Sequence, residues 1–282
     1  MKKSDINIRD PFILTEDGRY YMYGTRAKDF GQGVAGFDAY VSTDLENWSD
    51  PIEVFDSVKN NMNKQVNWAP EVHKYNGGYY LFASFTQPNG NRGTYCLKAD
   101  NPLGPFVPHS DGPLTPEEWE SIDGTLYIED GVPYLVFCHE HVQTIDGLMC
   151  YVQLSEDLKT AIGKPTDLFK ASDPVWVKEI IPDKHYITDG PFMFHTKDNT
   201  LLMIWSTFIN KKYAECVVRF NDGTIKGSFE HLTPLIDDDG GHGMLFYTNE
   251  GELMFTFHTP NQTDYERPEF LKIIDCGDHL EK

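Results

Sequence analysis

The chain repeats one short pattern of hydrophobic and polar residues. A segment of alternating apolar and polar residues ends in a polar turn, and an aromatic, apolar segment of similar length follows at once. Alternation with a period of two is typical of β-strands, and a tight polar turn between two such segments predicts a β-hairpin. The segment IRDPFILTEDGRYYMYG, residues 8–24, is the clearest copy.

Four further copies of this hairpin pattern follow along the chain. The turns are predicted at Gly18, Gly78, Gly131, Asn199 and Gly251, so that consecutive turns are 52 to 68 residues apart. Further strand-like segments stand between the hairpins. Five such units of three or four strands predict an all-β, five-bladed β-propeller in which residues 1–282 form one domain. The alternative is a β-sandwich with accidental hairpin spacing, which five matched hairpins disfavour.

The first strand of each predicted hairpin carries an acidic residue or a histidine. In a propeller the innermost strands line a central channel, so corresponding positions of the five blades meet near the axis. Alignment on the turns places five residues 7 to 10 positions before their turn: Asp10, Glu71, Asp123, Asp189 and His242. Neighbouring carboxyls raise one another's pKa, and acid–base catalysis requires one protonated and one ionised carboxyl. For Asp10 and Asp123 taken singly, a turn-forming role is the alternative.

Aromatic and polar residues near the predicted strand ends are candidates for a sugar-binding site. Aromatic rings stack on the C–H faces of sugars, and charged groups bind hydroxyls. The candidates are Trp68, Glu71, Phe85, Glu140, Trp205 and Arg267. For Phe85 and Trp205, core packing between blades is an equally good interpretation.

The composition narrows the classes of partner. The net charge is -20, from 24 Lys and Arg against 44 Asp and Glu. Such a surface repels nucleic acid and anionic membranes, whereas a neutral oligosaccharide substrate is compatible with it. The five cysteines include no C-x-x-C pair and most lie in apolar, strand-like segments, which predicts buried free thiols. No signal peptide is visible, so we expect a cytoplasmic protein unless a leader has been removed. The sequence does not determine the oligomeric state.

Several short segments, in their order and spacing along the chain, resemble those of glycoside hydrolase family 43, the five-bladed propeller enzymes that act on arabinosides and xylosides. The resemblance covers nearly the whole chain, through IRDPF, WAPE, SIDGTLY, TDGPF, GHGM and ERPEF. It implies an inverting mechanism with Asp10 as general base and Asp123 as the residue that raises the pKa of the acid. It also implies that Asp189 is the acid and that His242 lies beside a calcium ion or a water cluster, although no cofactor is required for the chemistry.

One position departs from the family pattern. The acid of family 43 is usually a glutamate in E-G-P, and here the matching segment is ITDGP with Asp189. The shorter side chain is compatible with a deeper substrate, with proton transfer from Glu140 or Glu71, or with lost catalysis. The main hypothesis is an inverting hydrolase of α-L-arabinofuranosidic or β-D-xylosidic bonds. The alternatives are a propeller phosphorylase acting on β-mannosides and a glycan-binding propeller without turnover.

Overall fold

The strands of the computed structural model form a five-bladed β-propeller, which confirms the predicted fold class. The structure describes residues 1–26, 35–63, 65–177 and 185–282. Within these ranges each blade is an antiparallel sheet whose strands follow one another in chain order. No helix in the described part of the chain is long and apolar enough to cross a membrane.

The blades are built from consecutive strands. Blade 1 contains β1 (Ile8–Glu16), β2 (Arg19–Arg26), β3 (Phe37–Ser42) and β4 (Ile52–Phe55). Blade 2 contains β5 (Asn67–Tyr75), β6 (Gly78–Thr86), β7 (Arg92–Ala99) and β8 (Val107–Pro108). Blade 3 contains β9 (Ser121–Glu129), β10 (Val132–His139), β11 (Leu148–Leu154) and β12 (Ala161–Lys170). Blade 4 contains β13 (Asp189–His195), β14 (Leu201–Ile209), β15 (Lys212–Phe220) and β16 (Phe229–Ile236).

The fifth blade and the chain ends complete the ring. Blade 5 contains β17 (Gly241–Tyr247), β18 (Leu253–Thr259) and β19 (Arg267–Lys272). A small hairpin of β20 (Ile274–Asp275) and β21 (Leu280–Glu281) follows, and the short helices are a 3₁₀ turn (Lys3–Asp5) and α1 (His141–Thr144). The side-chain amide of Asn7 donates to the carbonyls of Thr263 and Glu266, so the N-terminal segment is bound to blade 5.

The hairpin turns lie where the sequence predicts them, with one shift. Asn199 has a φ of 61°, which explains why asparagine replaces glycine there. In the second blade the turn residues with positive φ are Asn76, at 44°, and Gly77, at 78°, and Gly78 is already the first residue of β6. The predicted turn at Gly78 is therefore wrong by one residue.

Each innermost strand contains a β-bulge at the same level. Two of its residues oppose a single residue of the second strand, as Asp10 and Pro11 oppose Gly24 in blade 1. The first residue of every bulge has a φ between 47° and 57°, and the five residues are Asp10, Ala69, Asp123, Gly190 and His242. Residues other than glycine pay about 1–3 kcal/mol for this conformation, which persists where the surrounding structure enforces it.

Aromatic side chains fill the space between neighbouring blades. The ring of Phe85 from blade 2 lies 5.8 Å from Phe37 and 5.7 Å from Phe55 of blade 1. The ring of Trp205 from blade 4 lies 5.0 Å from Phe169 of blade 3. Aromatic pairs of this kind contribute about 0.5–1.5 kcal/mol each beyond the burial of their area. The packing between blades therefore holds the innermost strands, and with them the bulges, at fixed positions.

Candidate active site

The five bulges determine which side chains gather at one end of the propeller axis. Because each bulge residue occupies the same place in its blade, the true equivalents are Asp10, Ala69, Asp123, Gly190 and His242. The predicted ring of four acids and a histidine is therefore wrong in two members. Glu71 lies two residues after the bulge residue of blade 2, and Asp189 lies one residue before that of blade 4.

Three of the bulge residues form a cluster of polar side chains. His242 Nδ1 lies 3.1 Å from Asp10 Oδ1 and 3.8 Å from Asp123 Oδ2. The other two bulge residues are small, and this is necessary for Gly190: a Cβ atom there would lie 2.6 Å from the imidazole ring of His242. Blade 4 thus leaves room for the histidine that blade 5 supplies.

Asp10 lies in an environment that favours its ionised form. One carboxylate oxygen, Oδ2, accepts a hydrogen bond of 2.6 Å from the hydroxyl of Thr25. Burial by itself raises the pKa of Asp10, but His242, Arg9, His258 and the Thr25 hydroxyl together outweigh burial, and the pKa is lowered. The other oxygen, Oδ1, has no hydrogen-bond donor among the described residues. Oδ1, which lies 3.1 Å from His242 Nδ1, is therefore the oxygen with which Asp10 can accept a proton.

Asp189 lies in an environment that favours its protonated form. Burial raises its pKa to about 8, and the charges of Asp123 and Glu140 act in the same direction. The Tyr213 hydroxyl donates a hydrogen bond of 2.9 Å to Asp189 Oδ2, and this contact and His242 lower the pKa only in part. At neutral pH Asp189 is therefore a carboxylic acid with a proton to give.

Asp123 connects the two parts of the site. Its Oδ2 accepts a hydrogen bond of 3.1 Å from the backbone N–H of Gly190, the residue after Asp189. Burial and the charge of Asp10 raise the pKa of Asp123 well above its usual value, with smaller contributions from Glu140 and Glu71. Asp123 is thus placed both to raise the pKa of Asp189 and to fix the backbone that carries it.

These residues line one cavity of about 300 Å³. Trp68 forms part of its wall, and the guanidinium of Arg92 lies 5.6 Å above the centre of the Trp68 ring. Arg92 pairs with Glu140 at 2.8 Å and with Glu120 at 2.8 Å, so its charge is largely compensated. The remaining lining residues are Arg9, Asp10, Ile122, Asp123, His141, Val142, Ile187, Asp189, Phe208, Tyr213, His242 and Asn261.

Of the six predicted sugar-binding residues, Trp68 and Glu140 line the cavity and four others, Phe85, Trp205, Arg267 and Glu71, do not. Phe85 and Trp205 are fully buried between blades, so the packing interpretation is correct for both and neither can contact a ligand. The side chain of Arg267 donates to the carbonyls of Ser4 and Glu266 and does not line the cavity. The assignment of Phe85, Trp205 and Arg267 to a sugar site is therefore corrected.

Glu71 lies beside the cavity without lining it. Its Oε2 is 2.9 Å from His73 Nε2, and the residue is buried. Its charge reaches Asp123, whose pKa it helps to raise. Glu71 therefore acts on the site through electrostatics, and a proton transfer from it to a sugar in the cavity is not supported by its position.

Sequence reasoning missed several residues of the site. Arg9 lines the cavity and pairs with Glu266, and it was visible as the residue before Asp10. His258 accepts a hydrogen bond of 3.2 Å from the Asp10 backbone N–H, and burial lowers its pKa to about 3, so its imidazole is neutral. Tyr213 stands on the third strand of blade 4, where no local pattern distinguishes it from a core tyrosine.

The residues around His242 do not fit direct coordination of calcium. Ca²⁺ takes six to eight oxygen ligands. Here the imidazole Nδ1 faces Asp10, and one oxygen of Asp10 and one of Asp123 are already hydrogen-bonded to Thr25 and Gly190. Among the described residues, three convergent metal-ligating side chains occur only at Cys276, His279 and Glu281 on the β20–β21 hairpin. A calcium ion held through water beside His242 remains a prediction.

Comparison with known proteins gives consistent results. The model of the glycosyl hydrolases family 43 matches residues 5–279. The solved structure of an endo-arabinase from Bacteroides thetaiotaomicron VPI-5482 is 37% identical, with a TM-score of 0.90 over 99% of both chains. A thermostable family-43 glycoside hydrolase is 24% identical, with a TM-score of 0.85 over 98% of this chain and 92% of the other. An arabinoxylan arabinofuranohydrolase from Paenibacillus polymyxa is 29% identical in an alignment of 156 positions that covers 45% of this chain and 24% of that protein.

The five-bladed propeller, with carboxyls from three blades around one axial cavity, and the family match together place the chain among the glycoside hydrolases of the propeller type. The family match extends over nearly the whole described chain and includes all five blades. The chain belongs to glycosyl hydrolase family 43. Its substrate is therefore a carbohydrate.

Proposed function

We propose that this enzyme hydrolyses α-L-arabinofuranosidic bonds with inversion, with Asp10 as general base, Asp189 as general acid and Asp123 as the group that tunes the acid. The observation that carries the proposal is the opposite preference of two carboxyls in one cavity. The pKa of Asp10 is lowered, whereas burial raises that of Asp189 to about 8. At neutral pH one is a base and the other an acid, as inverting hydrolysis requires.

The reaction follows from these protonation states. Asp10 Oδ1 accepts a proton from a water molecule, which attacks the anomeric carbon as the bond to the leaving sugar breaks. Asp189 gives its proton to the departing glycosidic oxygen. Asp10 ends protonated and Asp189 ionised, and exchange with solvent restores both. No covalent intermediate forms, so the configuration at the anomeric carbon is inverted.

The expected substrate is neutral and is recognised by a mixed apolar and charged wall. Trp68 offers an aromatic edge or face, and the compensated pair of Arg92 and Glu140 offers hydrogen bonds to hydroxyls without a strong net charge. The names of the relatives, an endo-arabinase and an arabinoxylan arabinofuranohydrolase, support arabinosides. The sequence-based hypothesis also included β-D-xylosides, and we therefore include them among the substrates to be compared.

The two other functional hypotheses have less support. A phosphorylase needs cationic groups for inorganic phosphate, but Arg9 is paired with Glu266, and Arg92 with Glu120 and Glu140. A glycan-binding propeller without turnover has no use for a carboxyl whose pKa is raised to about 8 beside one whose pKa is lowered.

The test compares two variants on two kinds of substrate. Asp10→Asn should abolish hydrolysis of both linear arabino-oligosaccharides and aryl α-L-arabinofuranosides, because water activation is needed for each. Asp189→Asn should reduce the rate of hydrolysis severely for the oligosaccharides. The reduction should be much smaller for aryl glycosides with an acidic phenol, because such a phenol leaves without protonation. NMR of the first product should show the inverted anomer.

Four outcomes would contradict the assignment. Retention of configuration would exclude the mechanism. An Asp189→Asn enzyme equally impaired on every leaving group would remove Asp189 from the acid role, and Glu140→Gln is then the variant to examine. Hydrolysis of aryl β-D-xylosides alone would exclude arabinosides as the substrate class, and turnover that depends on inorganic phosphate would indicate a phosphorylase.

A further inference from the structure

The backbone N–H of each bulge residue is hydrogen-bonded across a blade boundary. The usual acceptor is a side chain on the second strand of the preceding blade. Within that blade, the acceptor residue pairs with the residue that comes just before the bulge of the innermost strand. Four of the five boundaries follow this rule: Ala69 donates to Thr25 Oγ1 at 2.7 Å, Asp123 to Ser84 Oγ at 2.9 Å, His242 to Ser206 Oγ at 2.6 Å and Asp10 to His258 Nδ1 at 3.2 Å.

The boundary between blades 3 and 4 departs from this rule. The corresponding position of blade 3 is Cys138, which pairs with Ile122 as Thr25 pairs with Arg9. A thiol is a weak hydrogen-bond acceptor. Here the Gly190 N–H donates to Asp123 Oδ2 at 3.1 Å, so a carboxyl group of the active site takes the place of the missing hydroxyl.

Cys138 is well placed for this effect. Its side chain is fully buried, and the Thr188 hydroxyl interacts with the thiol, so it packs at the base of the segment that carries Asp189. It also interacts electrostatically with both Asp123 and Asp189. The thiol therefore lies beside both carboxyls without supplying a strong acceptor to the backbone between them.

We propose that Cys138 is a positioning residue: because its thiol supplies no strong acceptor to the Gly190 N–H, the Asp123 carboxyl group accepts this hydrogen bond and is held in a fixed orientation beside Asp189. The inference rests on the proposed catalytic roles of Asp123 and Asp189. It assigns to a buried cysteine a part in the reaction that packing alone does not require.

The test compares kcat of two variants, Cys138→Ser and Cys138→Ala. A positioning role and a packing role predict opposite rankings of the two. Cys138→Ser adds the hydroxyl found at Ser84 and Ser206, which should capture the Gly190 N–H and release Asp123. We expect kcat on arabino-oligosaccharides to fall about tenfold to a hundredfold, with KM nearly unchanged and the basic limb of the pH–rate profile displaced. Cys138→Ala offers no acceptor and should keep kcat within about twofold, with the wild-type pH profile.

A packing role predicts the reverse, because serine is close to cysteine in size and alanine leaves a void. A Cys138→Ser enzyme with wild-type kcat and pH profile would therefore overturn the proposal. A crystal structure of that variant in which Ser Oγ bonds Thr188 while Gly190 stays on Asp123 would do the same. Thermal unfolding of both variants is measured as well, so that a smaller fraction of folded enzyme is not mistaken for a decrease in kcat.

A second measurement uses the unmodified protein and does not depend on how the variants fold. The amide proton of Gly190 should move downfield in NMR spectra as Asp123 loses its proton, and the charged groups that face Asp123 in this titration are Asp10, Glu71, Glu140, Asp189 and His242. An amide resonance that does not respond to this titration would overturn the proposed hydrogen bond. If the enzyme hydrolyses no arabinoside, the proposed function is wrong. The titration of the Gly190 amide still shows whether Asp123 accepts the hydrogen bond from this N–H.

Discussion

Thr25 gives the sharpest test of how the structure holds the base. Its hydroxyl donates to Asp10 Oδ2 at 2.6 Å and accepts from the Ala69 N–H at 2.7 Å, so one side chain supports two neighbouring bulges. Thr25→Val has nearly the same shape and removes both hydrogen bonds. Thr25→Ser keeps the hydroxyl and is the matched control.

The magnitude follows from the contacts. A hydrogen bond to a charged group contributes about 1.5–3 kcal/mol, which corresponds to about one to two pKa units. His242, Arg9 and His258 lower the pKa of Asp10 more than Thr25 does, so we expect a rise of about one unit in the valine variant. The unpaired Ala69 N–H should also reduce the free energy of unfolding by about 1–3 kcal/mol.

The direction of the pH effect is fixed by the role of Asp10. The base acts when ionised, so activity is lost as the pH falls through its pKa, and a higher pKa moves the acid limb of kcat/KM to higher pH. The assay is the pH dependence of kcat/KM on arabino-oligosaccharides, with circular dichroism at each pH to confirm that the protein is folded. An acid limb that coincides in wild type, Thr25→Val and Thr25→Ser would refute the reasoning.

Four further outcomes are expected. The kcat/KM of the wild type should fall above about pH 8 as Asp189 loses its proton, and a limb that Asp189→Asn leaves in place on aryl glycosides would contradict this origin. Glu215 is fully buried with a pKa raised to about 8 from 4.5, so the folded chain holds a proton that the unfolded chain loses; this residue should lower the stability by roughly 5 kcal/mol between these pH values, and Glu215→Gln should remove that contribution in denaturant titrations. Trp205→Ala should cost about 3–5 kcal/mol of stability with KM unchanged, whereas Trp68→Ala should raise KM with little loss of stability; equal KM effects would place both rings in the substrate site. Dialysis against EDTA should leave kcat unchanged, and recovery of lost activity by Ca²⁺ would establish a catalytic metal.

The blade architecture could be predicted because its determinants are local. A turn residue with positive φ and the alternation of apolar residues on both sides are properties of a dozen consecutive residues, and Gly18, Gly131 and Asn199 show them directly. Their regular spacing then leaves few folds to choose from. Asp10 and Asp123 were found for the same reason, since both stand eight residues before their turn.

The remaining site residues depend on how the blades pack. The bulge places two residues opposite one, and counting from a turn does not reveal it, so Glu71 and Asp189 were aligned with bulge residues although Ala69 and Gly190 hold those positions. Because Ala69 and Gly190 carry no polar side chain, no acidic pattern in the sequence marks these two axial positions.

What the sequence by itself determined is the propeller, the family and the acids Asp10 and Asp123, because turn chemistry and strand periodicity are written in neighbouring residues. Only the tertiary structure decided that Phe85 and Trp205 are core and that Arg9, Tyr213 and His258 surround the acids. These contacts join residues of different blades, up to 248 positions apart in the case of Asp10 and His258. Which side chain faces a shared cavity, and with what pKa, is set by burial and by charges that distant strands contribute.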